Sequence, residues 1–195
     1  MRAMATYETR TRRFSRAEYD WLIEAGFFQP GEAIELIGGE LMVAEPQGAA
    51  HYTAIVKTAR VLDETFGPGW HVRMQGPIGL DEDSEPEPDV ALVLGDPEDY
   101  SRAHPSRPVL VVEVADSSLA GDRGRKGSLY ARAGLADYWV LNLVDRVLEV
   151  YRQPEPDAAA PFGWRYARVE VFDAGTAVTP LASPRSRVAV SRLLP

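Results

Sequence analysis

Two short and almost entirely apolar runs, each with one carboxylate at an end, constrain the fold of this chain most strongly. Residues 90–94 (VALVL) follow directly on Pro88-Asp89, and residues 109–114 (VLVVEV) contain Glu113. Short continuous apolar runs bounded by turn residues are typical of β-strands that are buried on both faces. The two runs therefore predict a central sheet that is covered on both sides, with Asp89 and Glu113 on neighbouring strands.

Periodicity elsewhere predicts three helices. A short first helix begins after Ser15, with Glu18 at the capping-box position. A longer helix covers residues 50–66. Its predicted apolar face consists of Tyr52, Ile55, Val56, Ala59, Leu62 and Phe66. A third helix is predicted over residues 123–134, before a helix-ending glycine. Its predicted inward residues are Leu129, Tyr130 and Ala133.

The remaining segments have the patterns of strands and turns. Gly38-Gly39 predicts a two-residue hairpin within residues 34–44. Residues 70–75 alternate like a half-buried strand, residues 138–151 predict a second hairpin, and residues 153–163 predict a loop rich in proline and alanine. The order of these elements predicts an α/β domain (an α+β mixed sheet), in which helices flank one central mixed β-sheet.

Length and composition narrow the class of protein. The 195 residues suit one domain, which we assign to residues 14–195 after a flexible N-terminal segment of residues 1–13. The chain has no cysteine and no G-x-S-x-G motif, which argues against a hydrolase with a thiol or serine nucleophile. No apolar run approaches the roughly 18 residues of a membrane span, and we expect a cytoplasmic protein. The net charge of −8 argues against strong non-specific binding to nucleic acid.

The two strand-end carboxylates suggest a metal site. Asp89 or Glu113 alone is compatible with a carboxylate that reaches solvent or a lysine. A carboxylate inside an apolar strand is costly to bury unless it is paired or binds a metal. Two of them on neighbouring strands make an oxygen-only site for a hard divalent cation such as Mg²⁺ (or Mn²⁺), usually completed by water and substrate phosphate.

Lys126 is a candidate partner of these carboxylates. It lies on the first turns of the helix that follows the second apolar run. A lysine there can extend to the carboxylate pair, where its ammonium would orient an attacking water or offset charge in a phosphorane-like transition state. The alternative is a solvated lysine on an exposed helix face, which is the commoner situation for this residue type.

Taken in order, these residues resemble the PD-(D/E)xK nuclease superfamily, and within it the Uma-two branch of restriction-endonuclease-like proteins. The resemblance extends from about residue 14 to residue 152. The segments that carry it are ELIGGEL (35–41), His51, PDV (88–90), VEV (112–114), and Asp122 and Lys126 followed by YARAGLADYW (130–139).

The resemblance implies a restriction-endonuclease-like core and assigns roles to several residues. Asp89 and Glu113 would be metal ligands, Lys126 would be the catalytic lysine, and Glu35 would face the same site. One feature departs from the superfamily pattern, which places a lysine two residues after the second acid. That position is Ala115 here. The lysine must therefore come from the following helix, as the branch resemblance implies for Lys126.

Two further residues are possible accessory groups. His51 opens the second helix, and it would serve either as a proton carrier beside the metal or as a helix-terminal histidine that bonds to backbone. Gln75, in the strand before the acidic loop, is expected to line the same site. No other cofactor is implied by the sequence.

The charged residues cluster by sign. Residues 81–99 contain nine carboxylates and no lysine or arginine, and we expect those from Asp81 to Glu87 to be solvated. Such a field repels DNA phosphates. The arginines that would offset it are Arg10, Arg12, Arg13, Arg16, Arg123 and Arg125.

Two hypotheses of different classes follow. The first is a Mg²⁺-dependent endonuclease that hydrolyses DNA phosphodiester bonds. The second is a catalytically silent nuclease-fold module that binds a partner or dimerises, which the acidic net charge and the displaced lysine favour. A homodimer is possible in either case, with the hairpin of residues 138–151 as a candidate contact between subunits.

Overall fold

The computed structural model describes residues 10–44 and 46–195, which fold around one six-stranded sheet. The elements before the sheet are α1 (Arg16–Glu24), β1 (Ile34–Ile37), β2 (Glu40–Val43) and α2 (Ala49–Phe66). The strands of the sheet are β3 (Trp70–Met74), β4 (Val90–Leu94), β5 (Leu110–Ala115), β6 (Asp137–Asn142), β7 (Val147–Pro156) and β8 (Trp164–Asp173). Between β5 and β6 the chain forms α3 (Leu119–Gly121), a π-helical turn (Asp122–Lys126) and α4 (Gly127–Arg132). The short strands β9 (Ala177–Val178) and β10 (Val188–Ala189) follow the sheet.

The six strands lie side by side in chain order, and the two apolar runs of the sequence are adjacent strands at its centre. All neighbouring pairs are antiparallel except β5 and β6, which are parallel. Along β4 the side chains alternate between two apolar clusters. Val90 and Leu92 face α2, whereas Ala91 and Val93 face the side of α4. The predicted mixed sheet, buried on both faces, is confirmed.

The parallel pair β5–β6 explains the helical connection between these strands. Parallel neighbours need a crossover, because the chain must return to the end of the sheet at which it started. The connection of α3, the π-helical turn and α4 provides this crossover, and α4 packs against β7 and β8. This topology places the start of the helical connection beside the end of β5 that carries Glu113.

The first helix and the first hairpin form as their local sequences predict. Ser15 accepts a hydrogen bond from the backbone N–H of Glu18, whose carboxylate bonds back to the Ser15 backbone. Gly38 and Gly39 connect β1 to β2 with φ angles of 59° and 78°, which are readily accessible to glycine in such hairpin turns. A backbone bridge between Leu36 and the acidic loop fastens the hairpin to the body of the protein.

Two predicted helix faces differ from the observed ones. Tyr52 and Val56 are exposed, and α2 buries small side chains such as Ala54 and Thr58 against the sheet instead. The helical period of the sequence is compatible with several overlapping apolar faces of α2. The face with small residues is the one that is buried, because it allows the helix to lie closer to the sheet. In α4 Ala131 is buried, whereas the predicted Ala133 is exposed at the helix end. In the described part of the chain, no helix combines the length and the apolar character that crossing a bilayer requires.

The second predicted hairpin is not an exposed edge. β6 pairs with β5 and β7, and β7 pairs with both β6 and β8, so the expectation of a free strand edge in residues 138–151 is wrong. The predicted loop of residues 153–163 also begins later, because β7 continues to Pro156 and pairs with β8 on both sides of Gln153. The edges of the sheet are β3 and β8.

The acidic loop is less solvated than its composition suggests. Asp81 and Asp83 both pair with Arg132, at 2.7 and 2.8 Å. Glu85 is buried, and its carboxylate lies 3.8 Å from the guanidinium of Arg16. The prediction that Asp81 to Glu87 are solvated holds for Glu82 and is wrong for Glu85, because long-range arginine partners and the hairpin cover part of the loop.

We expect the buried Glu85 to make stability depend on pH. Burial raises the pKa of Glu85 from 4.5 to about 7, and Asp20 acts in the same direction against Arg16. Between these two values the folded chain keeps a proton that the unfolded chain has lost, so the free energy of unfolding falls as pH rises. Glu85→Gln should flatten that fall by about 1–2 kcal/mol, which is less than the full shift because local relaxation and water penetration weaken the effect of burial.

Denaturant unfolding of the wild type and the variant between pH 4.5 and 7 measures this difference. Glu82→Gln, at an exposed position of the same loop, controls for the loss of one negative charge. Parallel pH profiles for wild type and Glu85→Gln would contradict the expectation.

Candidate functional site

The register of two central strands brings Asp89 and Glu113 together. Val90 lies opposite Val112 in the antiparallel pair of β4 and β5, so the preceding Asp89 faces Glu113. The Asp89 backbone N–H donates to Glu113 Oε2 at 3.3 Å, and the Val114 N–H donates to Asp89 Oδ2 at 2.8 Å. Side-chain oxygens thus replace the ladder hydrogen bonds at the point where β4 begins.

The π-helical turn positions Lys126 against the same carboxylates. Its Nζ lies 3.2 Å from Glu113 Oε1 and 3.2 Å from Glu35 Oε1. Glu35 comes from the first hairpin, and its other oxygen accepts the backbone N–H of Glu87 at 3.0 Å. The lysine therefore bridges two carboxylates from distant parts of the sequence, and it is not the solvated lysine of the alternative interpretation.

Tyr130 is also a member of this cluster, although no role was predicted for it from the sequence. Its side chain is fully buried on α4, one turn beyond Lys126, and its hydroxyl donates to Glu113 Oε1 at 2.8 Å. The sequence predicted an inward-facing residue here, but an inward tyrosine is equally consistent with a core position. Glu113 is consequently held by three donors, which fixes the direction of its carboxylate.

His51 and Gln75, the two predicted accessory residues, both lie beside Asp89. His51 Nε2 is 3.1 Å from Asp89 Oδ2, so the ring contacts the carboxylate directly. Gln75 follows β3 with a positive φ of 48°, and its N–H donates to the Asp89 carbonyl at 3.1 Å. Positive φ angles are uncommon outside glycine and are concentrated at functional sites. Both residues line the same cavity as the carboxylates.

A cavity of about 1000 Å³ opens over these residues. Its floor contains Asp89, Glu113 and Lys126, and its wall includes the first hairpin and the loop between β5 and α3. Within residues 10–44 and 46–195, the carboxylates that line it are Glu32, Glu35, Glu87, Asp89, Glu113, Asp116 and Asp122. The cationic residues in the same part of the chain that line it are Arg125 and Lys126. The cavity is therefore strongly acidic.

Burial and mutual repulsion determine how these groups titrate. Burial raises the pKa of Glu113, and the carboxylates of Asp122 and Asp89 raise it further, whereas Lys126 acts in the opposite direction. Burial alone would lower the pKa of Lys126, but the carboxylates of Glu113 and Glu35 outweigh it and raise the net value. Several carboxylates thus compete for one ammonium, which is an environment that favours an additional cation.

The donor set fits a hard divalent cation. Within the described residues, no three carboxylate or imidazole groups form a ready-made metal cage. Mg²⁺ is usually held by one or two carboxylates together with water and substrate phosphate. Asp89 and Glu113 supply two such carboxylates, and Asp89 Oδ1 has a distant contact at 3.5 Å with Gln47 Nε2. That oxygen keeps the capacity to accept a stronger ligand.

The arginines expected to offset the acidic field are mostly engaged elsewhere. Arg123 points away from the cavity and pairs with the buried Glu149 at 2.5 Å. Arg125 donates to Glu40 at 2.6 Å and to the Ile37 carbonyl, which anchors the first hairpin. Near the N-terminus, the paired residues are Arg12 with Glu18, Arg13 with Glu40, and Arg16 with Glu85. These arginines therefore offset the negative charge of the cavity less than their number suggests.

The fold and the site define a protein with a nuclease-like architecture. A solved structure described as a putative nuclease belonging to DUF820, from Anabaena variabilis ATCC 29413, matches with a TM-score of 0.64 and 17% sequence identity. The match covers 88% of this chain and 96% of that chain, and it concerns the fold. The sequence matches the Uma2 family, described as "Putative restriction endonuclease", over residues 16–190. The chain belongs to this family, which confirms the resemblance in its motifs. No curated protein matches the sequence.

Proposed function

We propose that this protein is a Mg²⁺-dependent endonuclease that hydrolyses phosphodiester bonds in DNA. The observation that carries the proposal is the convergence of Asp89, Glu113 and Lys126 at the floor of one cavity. Two carboxylates and a lysine are the donors that metal-dependent phosphoryl transfer needs. Membership of the Uma2 family, described as "Putative restriction endonuclease", supports the same reaction class.

Asp89 and Glu113 would hold the cation, which supplies Lewis-acid stabilisation of phosphate charge and lowers the pKa of a bound water. Lys126 holds a positive charge at the cavity floor, where it offsets negative charge that develops on the phosphate. Tyr130 fixes the direction of the Glu113 carboxylate through its 2.8 Å hydrogen bond. His51 restrains the Asp89 carboxylate, since its Nε2 lies 3.1 Å from Asp89 Oδ2.

Incubation of the purified protein with plasmid and with single-stranded DNA, with Mg²⁺ or Mn²⁺ added or chelated, tests the proposal. We expect conversion to shorter products in either metal and none in the presence of a chelator, because the carboxylates alone provide no electrophile. Metal-independent cleavage would contradict the mechanism, and the absence of cleavage in both metals would contradict the function.

A catalytically silent module is the second candidate. It is favoured by one observation, which is that the carboxylates already have protein partners in Lys126, Tyr130 and His51. Calorimetric titration with Mg²⁺ distinguishes the two candidates. The endonuclease should bind the cation, whereas a module whose acids serve structural pairs should give no heat of binding.

A further inference from the structure

We propose that the cavity receives an unpaired strand of nucleic acid rather than an intact duplex, an inference that rests on the nuclease function proposed above. Three features of the cavity carry it. They are the depth of the carboxylates below the surface, the apolar wall that β2 contributes, and the low density of positive charge at the rim.

The carboxylates lie too deep for a phosphate that remains on the surface of a duplex. The exposed fractions of the side chains are 3% for Glu113, 11% for Asp89 and 18% for Lys126. A phosphate must come within about 2 Å of a cation that these carboxylates hold. The backbone therefore has to enter the cavity, which a flexible single strand can do, whereas a duplex, with a persistence length of about 50 nm, can follow only at a deformation cost.

The wall of the cavity offers apolar surface, which an unpaired base can cover. Ile34, Met42, Val43 and Pro46 all line it, and Met42 and Val43 are solvent-exposed. The faces of bases in a single strand are accessible and pack on apolar or aromatic side chains. The Met42 sulfur is suited to the edge or face of such a ring. In a duplex these faces are stacked on one another and cannot reach the wall.

The charges around the cavity oppose a duplex more than a single strand. Duplex DNA carries one negative charge per about 1.7 Å of its axis, against about 3.4 Å for one strand. Among the described residues, seven carboxylates and two cationic residues line the cavity, and Arg125 is itself paired with Glu40. Single-stranded DNA, with half the charge density of a duplex, is repelled less by these carboxylates. Contacts with its bases compensate for the few phosphate contacts.

Binding of a fluorescein-labelled DNA strand of about 20 nucleotides, longer than the roughly 4–16 nucleotides covered by typical single-strand sites, tests the inference. Fluorescence anisotropy would be measured in Ca²⁺, a hard cation with the same preference for oxygen ligands as Mg²⁺. We expect the single strand to bind at least about tenfold more tightly than the same strand annealed to its complement. Equal or tighter binding of the duplex, or binding of neither form, would overturn the inference.

A matched pair of variants shows whether binding uses the apolar wall. Val43 and Val171 are both 63% exposed valines on strands, but Val43 lines the cavity and Val171 lies on the edge strand β8. Val43→Asp should weaken single-strand binding about tenfold through lost base contact and added repulsion, and Val171→Asp should leave it unchanged. Equal effects of the two substitutions would overturn the inference.

Hydrolysis of the same two DNA forms in Mg²⁺ separates this inference from the proposed function. Cleavage of the duplex as fast as the single strand would overturn the inference and leave the endonuclease proposal intact. Selective binding of the single strand without cleavage of either form would support the inference and contradict the endonuclease proposal.

Discussion

Asp89→Asn is expected to lower the rate of metal-dependent DNA cleavage by about 10³-fold, which corresponds to about 4 kcal/mol of transition-state stabilisation. Asparagine keeps an oxygen that can accept the Val114 N–H, so the start of β4 should stay folded. It loses the negative charge that a divalent cation requires from the position beside Glu113. Initial rates on single-stranded DNA at saturating Mg²⁺ give the size of the effect.

The cation itself gives a second readout, independent of turnover. A ligand that binds the folded state alone raises stability according to its concentration and dissociation constant. Millimolar Mg²⁺ should therefore raise the Tm of the wild type and leave that of Asp89→Asn unchanged.

Asp96→Asn is the matched control for this substitution. Asp96 lies beyond the opposite end of the same strand, where it caps a 3₁₀ turn, and asparagine caps such turns equally well. It should keep both the activity and the Mg²⁺-induced rise in Tm. A loss of less than tenfold in Asp89→Asn, or an equal loss in the control, would remove Asp89 from the proposed metal site.

The sequence predicted those parts of the site in which a local pattern determines which segments lie next to each other. Two apolar runs with terminal acids predicted adjacent buried strands, and adjacency together with antiparallel register is enough to place Asp89 opposite Glu113. The capping box at Ser15 and the Gly38-Gly39 turn were predicted for the same reason, because each signal lies within a few residues of the structure that it specifies.

The parts that the sequence did not predict depend on contacts between distant segments. The burial of Glu85 follows from its packing beneath the first hairpin, and the orientation of Arg123 follows from Glu149 on β7. The contact of Tyr130 had no separate signal in the sequence. A buried tyrosine in the core and one that donates to a carboxylate of the candidate site occur at the same positions of an amphipathic helix.

Lys126 could have been singled out by residue type. Lys57 and Lys126 are the two lysines of a chain whose other basic side chains, histidine apart, are arginines. An ammonium is a compact point charge, which suits a position between the Glu35 and Glu113 carboxylates better than the wide planar fork of arginine. The π-helical turn that carries this lysine is a further signal, since such turns are rare and frequently occur at functional sites.

Lys126→Met is expected to lower the turnover number by about 10²- to 10³-fold with little change in KM, because the lost charge acts on negative charge that develops in the transition state. The same variant should bind Mg²⁺ more tightly than the wild type. The ammonium lies 3.2 Å from oxygens of Glu113 and Glu35, where it competes with a metal cation for these carboxylates. Its removal therefore strengthens the attraction between the carboxylates and Mg²⁺. Breaking this buried pair should also cost roughly 3–5 kcal/mol of stability in the absence of metal.

Opposite signs for cation affinity and turnover distinguish a catalytic lysine from a structural one. A lysine that merely holds the fold would lower both quantities together in Lys126→Met, through partial unfolding. Lys57→Met is the matched control, since Lys57 lies on α2 and donates to the Leu194 carbonyl away from the cavity. It should change neither Mg²⁺ affinity by calorimetry nor the rate of DNA cleavage. Weaker Mg²⁺ binding in a folded Lys126→Met protein would show that the ammonium supports the cation site rather than the reacting phosphate, and the assigned role would be wrong.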